Sequence, residues 1–249
     1  MRPPSLDRRV VAEAVGTALL LAAIVGSGIM GERLAGGNVA VALLANTLAT
    51  GAALVALILT FGPISGAHFN PAVTLADAFQ GGLRWRDVAA YVVAQVAGAF
   101  GGVAAAHLMF GEPIFFASRH ARAGGAQVFS EFVASFGLLV VIWGCSRLNA
   151  SNVAFAVAAY ITAAYWFTAS TSFANPAVTL ARSASDTFAG IRPADAPAFI
   201  AAQLVGAGAA TSLFRWLAPV PAADTQPTTM VHTADIAAER SATHQGGHR

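Results

Sequence analysis

Lysine is absent from this 249-residue chain, and charge of either sign is scarce: 14 arginines and 12 acidic residues make up only 10% of it. Soluble domains carry about 25% charged residues, so the deficit excludes an ordinary water-soluble fold. Basic residues that are all Arg, in a background rich in Ala and Gly, match the composition of a GC-rich bacterial genome. Cysteine occurs once, at Cys145, which excludes an intramolecular disulfide and says little about compartment. With a formal net charge of +2, the high pI reflects few titrating groups rather than a basic patch, and no nucleic-acid partner is expected. No small-residue cleavage motif ends a short apolar core near the N-terminus. Residues 10–30 are long enough to cross a bilayer instead. A Ser-His-Asp set, a metal-ligand cluster and a phosphate-binding glycine loop are also missing, so neither enzyme activity nor a cofactor or metal is expected.

What the chain does have is apolar length. Hydrophobic residues are 56% of it and the mean hydropathy is +0.63. Apolar segments at 10–30, 39–61, 88–110, 128–145, 153–169 and 194–217 each approach the ~20 residues that cross a hydrocarbon core about 30 Å thick. Between the second and third, and again between the fifth and sixth, stands the string NPAVTLA, at 70–76 and at 175–181. Each copy reads as a helix start, with Asn70 or Asn175 as N-cap, Pro71 or Pro176 at the first helical position, and apolar residues after. The apolar run that follows is only about ten residues, ~15 Å of helix, or half a bilayer.

The halves align beyond the repeated string. Glu13 in the first span corresponds to Glu131 in the fourth, and Gln95 to Gln203 after each string. Three spans per repeat make the second copy enter from the opposite side, an inverted repeat with its site at the midplane between discontinuous helices. The expected fold is an all-α membrane protein of six transmembrane helices and two re-entrant half-helices. It forms one channel domain over 1–218, with repeats at about 10–110 and 126–218. The tail from 219 to 249 reads as disordered, and its His232, His244 and His248 are too loosely spaced for a metal site. Arg2, Arg8, Arg9, Arg84, Arg86, Arg147 and Arg215 would be cytoplasmic and Arg33, Arg119, Arg122, Arg182 and Arg192 outside, a slight bias toward cytoplasmic termini.

Half-helices entering from opposite faces bring Asn70 and Asn175 together, each capping its helix and offering an amide N–H to the lumen. Converging positive helix ends oppose cations, protons included. Such a pore suits small, neutral, hydroxylated solutes.

On these residues the chain resembles the major intrinsic protein family, the aquaporins and glycerol facilitators. The match covers about residues 10–217 and includes Asn70, Pro71 and Ala72, Asn175, Pro176 and Ala177, SGAHFNPAVT around the first motif, and a Glu in the first span of each repeat. The resemblance implies a pore in every subunit, a homotetramer in the bacterial inner membrane, no cofactor, and passive flow of solutes. It also implies that Glu13 and Glu131 support the re-entrant loops.

In most of the family an Arg follows the second motif and lines the narrowest point; here Val178 stands there. Counting back from the motifs as the family does, the remaining filter positions fall on Thr50, Ala163 and Ser172. All four are small and uncharged, which widens the constriction and removes its fixed charge. The expectation is a channel for glycerol, urea and neutral trihydroxy metalloids such as arsenite or antimonite, besides water. The Val variant is similar to a bacterial branch implicated in arsenic resistance. A water-selective channel and a gradient-coupled transporter are the alternatives. Arg182 lies one turn beyond Val178 on the same face. It reads either as a displaced charge at the outer vestibule or as a paired or solvated mouth residue. The second reading is favoured here because one turn, ~5.4 Å, is too far to close the filter. His68 reads as packing against the loop or lining the cytoplasmic vestibule, Gln95 and Gln203 as interhelical hydrogen-bonding residues. Trp85, Trp143, Trp166 and Trp216 read for the most part as interfacial anchors.

Overall fold

The computed structural model describes residues 4–218; the tail and its histidines lie outside the described residues. Within them the chain folds into eight α-helices: α1 Leu6–Leu34, α2 Val39–Ser65, α3 Pro71–Gln80, α4 Trp85–Phe110, α5 Gly125–Leu148, α6 Val153–Phe167, α7 Pro176–Arg182 and α8 Ala196–Leu217. Six are long and apolar enough to cross a membrane, α6 with the 3-10 turn Ala150–Asn152 that precedes it. Four of them, α1, α2, α4 and α5, run further than the apolar segments alone suggested, while α6 and α8 stop within two residues of theirs. The 29 residues of α1 make a rod of ~43 Å, so its charged ends, Asp7 and Arg33, project into the headgroup layers. The two short helices are the ones beginning at the repeated string. At ten and seven residues they reach ~15 and ~10 Å, too short to span.

In each repeat the first helix packs on the third long one, α1 on α4 and α5 on α8. The repeats join through α2 against α6, and each short helix also packs on a long helix of the other repeat, α3 on α8 and α7 on α4. Large apolar side chains such as Val11, Leu19, Leu48 and Val93 stay at least half exposed on the outer surface, as a bilayer-facing surface requires. Trp85, Trp166 and Trp216 are exposed like anchors. Trp143 is not an anchor: it is buried and donates its Nε1–H to Thr211 Oγ1 at 3.2 Å.

Small residues set how closely the long helices cross. A Cβ added at Gly98 or Gly102 on α4 would overlap the backbone carbonyls of Ala14 and Ala18 on α1. Backbone cannot swing aside as a side chain does, so Gly102→Ala is expected to destabilise by about 1–3 kcal/mol. Gly101→Ala, which meets nothing within 4 Å, should leave the unfolding midpoint in detergent near that of the native chain. Equal midpoints for the two variants would mean that α1 and α4 do not cross there.

Candidate functional site

The segments entering α3 and α7 adopt the same unusual backbone. Gly66, Ala67 and Phe69 have φ of 92°, 49° and 49°; their counterparts 105 residues on, Thr171, Ser172 and Ala174, have 61°, 51° and 48°. Five of these six are not glycine, and each left-handed L-residue costs about 1–3 kcal/mol. A buried carboxylate offsets that cost in each loop. Glu13 accepts from the backbone N–H of His68 (2.9 Å) and Phe69 (2.7 Å), from Ser65 Oγ and from Gln95 Nε2. Glu131 accepts from the N–H of Phe173 (2.9 Å) and Ala174 (2.8 Å) and from Gln203 Nε2. Gln95 and Gln203 then donate to Thr74 and Thr179 on the short helices. Hydrogen bonds to a charged acceptor contribute about 1.5–3 kcal/mol each, enough to hold both strained loops. With their N–H groups held this way, the carbonyls of Gly66, Ala67 and His68, and of Thr171, Ser172 and Phe173, accept no hydrogen bond from the described residues. They are acceptors left over for whatever passes.

Each half-helix starts at its asparagine. Asn70 Oδ1 accepts from Ala72 N at 2.9 Å, and Asn175 Oδ1 from Ala177 N at 3.0 Å. The other ends of the two side chains cross over: Asn70 Nδ2 donates to Ala174 O and Asn175 Nδ2 to Phe69 O, both at 2.8 Å. Each amide spends one N–H on the opposite loop, so only one, not two, remains for the lumen. Pro71, Pro176, Ala72 and Ala177 are buried directly behind these caps.

Asn70 and Asn175 lie in a cavity through the middle of the bundle. One wall is apolar: Leu20 and Ile24 of α1, Leu54 and Ile58 of α2, Leu138 and Ile142 of α5, and Val157 and Ile161 of α6. The other is the polar edge of the two loops, from His68 to Asn70 and from Ser172 to Asn175. Thr50, Ser172 and Val178 line it together.

Ala163 does not. It is exposed on the outer side of α6, and the cavity is lined instead by Val157, Ile161 and Tyr165. Those three recur every fourth residue. At 100° per residue, position 163 points ~200° away from 161. Counting back from the motif assumed a loop of fixed length, and the i, i+4 stripe was the better signal. Tyr165 is buried, and its hydroxyl lies 3.3 Å from Thr50 Oγ1. The surroundings of Val178 are therefore neither all small nor uncharged, because Arg182 lines the same cavity at 2% exposure. It is not at a solvated mouth. Its Cζ stands 3.4 Å from the ring centroid of Phe173, and its Nε donates to Ala189 O.

Arg122, counted in the sequence only as an outer-side charge, belongs to the same cluster. It lies in the stretch between α4 and α5, buried, its Cζ 4.9 Å from the same Phe173 ring. It donates to Gly190 O and Ser170 O, and its backbone N–H to Asp195. Burial pushes its guanidinium down to about 10, so it stays cationic at neutral pH. Burial, and then the charges of Arg122 and Arg182, hold the His120 imidazole below its usual range. At the other end of the cavity His68 Nδ1 is 3.1 Å from Thr74 Oγ1, and its Nε2 is 3.6 Å from Asp77 Oδ2.

Comparison with known proteins returns relatives over most of the chain. The model of the family described as Major intrinsic protein matches residues 1–150. The chain is 58% identical over 217 residues to Aquaglyceroporin AqpS of Rhizobium meliloti (strain 1021), covering 87% of this chain and 93% of that one. It is 37% identical over 144 residues to Aquaporin NIP1-3 of Oryza sativa subsp. japonica, covering 57% of this chain and 49% of that one. Among solved structures, the aquaglyceroporin from Plasmodium falciparum superposes with a TM-score of 0.65 at 21% identity, covering 86% of this chain and 98% of that chain. That likeness supports the six-span, two-half-helix fold.

Glu131→Gln keeps the size of the side chain but leaves one oxygen for three donors. It is expected to lower stability by about 2–3 kcal/mol, read as a drop in the unfolding midpoint in detergent. Ser135→Ala, which removes a buried hydroxyl with no partner, is the control and should shift it little. Equal midpoints would show that the carboxylate does not hold the loop.

Proposed function

Because the chain belongs to the major intrinsic protein family and is a passive channel for small neutral solutes, we propose that its solutes extend beyond water to glycerol, urea and neutral trihydroxy metalloids such as arsenite or antimonite. The observation that carries this reading is the two-sided lumen, aliphatic along one wall and lined on the other by loop residues 67–70 and 172–175, where the carbonyls of Ala67, His68, Ser172 and Phe173 accept no hydrogen bond from the described residues. A polyol presents the same two faces, C–H on one side and hydroxyls on the other. Its hydroxyls trade water for acceptors fixed in place while its carbons meet the aliphatic wall, so little is lost on desolvation. Val178 supplies width beside that strip. The name of the aquaglyceroporin relative points the same way.

The constriction in this reading is formed by Thr50, Tyr165, Ser172 and Val178, with Asn70 and Asn175 at the midpoint and Glu13 and Glu131 supporting the loops. Residues 1–218 form one channel domain made of two inverted repeats. The protein acts as a homotetramer in the bacterial inner membrane with both termini in the cytoplasm. Nothing is coupled: flow follows the solute gradient alone.

Stopped-flow light scattering on proteoliposomes tests the reading. Glycerol should enter well above the rate of protein-free vesicles, and an imposed proton gradient should not drive its accumulation. Cells producing the protein should take up arsenite faster than vector controls. Rates equal to the controls would remove each solute in turn. Val178→Arg should cut glycerol and arsenite flux at least tenfold, and unchanged flux would place Val178 away from the constriction.

A further inference from the structure

Arg182 is a buried cation without a counter-ion. No carboxylate among the described residues lies within ion-pair distance of it, and its side chain has a single protein hydrogen bond, from Nε to Ala189 O. An arginine stays protonated in proteins, and a desolvated, unpaired guanidinium would be costly. Its two terminal nitrogens have no protein partner among the described residues, yet they are not among the buried side-chain atoms left unsatisfied. They therefore meet the cavity that Arg182 lines.

The direction of the side chain follows from helix geometry. Helical side chains lean toward the N-terminus, so a residue covers the turn before its own Cα. Arg182 reaches back along α7 to Phe173, on the loop ahead of Asn175. The first repeat makes the same move with different chemistry. Asp77, 105 positions before Arg182, reaches back to His68, the counterpart of Phe173. The reach is thus a property of the repeat. The turn it covers is the turn of Val178, whose isopropyl group leaves the guanidinium room.

We propose that Arg182 is the fixed cation of this pore's constriction, supplied from one helical turn beyond the position where Val178 stands, with its terminal N–H groups turned to the solute. This rests on the reading of Val178 and Ser172 as constriction residues. The charge lost at position 178 is then restored from 182, so the pore keeps its electrostatic barrier to protons and metal cations. Held back against the Phe173 ring and the Ala189 carbonyl, the Arg182 guanidinium fills less of that space than an arginine at 178 would, which leaves width for larger neutral solutes. The channel is broader than a water pore and still proton-tight.

The test uses the full chain in proteoliposomes, following proton entry with an internal pH dye alongside water and glycerol flux. Arg182→Leu should raise proton entry at least tenfold over the native channel, and Arg182→Lys should not. Combining Arg182→Leu with Val178→Arg should return proton entry to the native level, because the charge is back in the same space. Native-level proton exclusion in Arg182→Leu that still conducts water, or a failure of the second substitution to rescue it, would overturn the assignment. Should Arg182→Leu not fold, Val178→Arg alone decides through water. Two cations in one space should slow water entry, and unchanged water flux would show that the two side chains do not share it. Absence of glycerol flux in the native channel would defeat the solute reading but leave this one standing, since its readouts are protons and water.

Discussion

Two reciprocal hydrogen bonds, Asn70 Nδ2 to Ala174 O and Asn175 Nδ2 to Phe69 O, are the constraint on which the rest depends. Neither half-helix spans a membrane, so each must end inside it, where unpaired backbone is tolerated only against protein or a water-filled lumen. The asparagines meet that requirement for both helices at once, capping their own with the side-chain oxygen and clamping the opposite loop with the nitrogen. Because the oxygen must face the backbone N–H groups of its own helix, the orientation of each amide is fixed by chemistry. The crossed pair also makes the repeats interdependent, as does the packing of α3 on α8 and of α7 on α4.

From that junction the symmetry extends outward and then breaks. Backbone, carboxylate anchors, glutamines and threonines match from one loop to the other. Phe69 and Ala174 already differ directly before each asparagine; the differences that change the chemistry lie two positions before it, at His68 and Phe173, and on the second turn after it, at Asp77 and Arg182. One end of the cavity thus carries a histidine beside a carboxylate, the other an aromatic ring beside a guanidinium. The two-fold scaffold builds the lumen, and the sites where it diverges give the two ends different electrostatics. Near Phe173 two arginines, Arg122 and Arg182, outnumber the one carboxylate, Glu131, that holds the loop, and the net positive potential favours neutral solutes over cations.

Much of this was legible in the residues. The repeated string, its half-span length and the paired Glu13 and Glu131 together point to an inverted repeat with two re-entrant helices. The six spans stand where the apolar segments put them; α1, α2, α4 and α5 run past those segments, because hydropathy sees the hydrocarbon core and misses the turns beyond it. Side-chain identity around the lumen was less accessible. Ala163 was selected by counting across a loop, whereas the Val157, Ile161, Tyr165 stripe on α6 held the facing information. Arg182 was set aside because a distance along the helix axis was taken for the reach of a side chain. An arginine leaning toward the N-terminus covers a full turn. Arg122 carried no local signal, since its partners at Ser170 and Gly190 are brought to it only by the fold.

A double-mutant cycle on Asn70→Ala and Asn175→Ala, read as unfolding free energy of the purified protein, tests the junction most directly. If the two amides form one clamp between the loops, removing the first loosens the carbonyl the second depends on. The combined loss should then fall short of the sum of the single losses by about 0.5 kcal/mol or more. Strict additivity would contradict the account, because it would mean that each asparagine only caps its own helix and that the two half-helices do not hold each other in place.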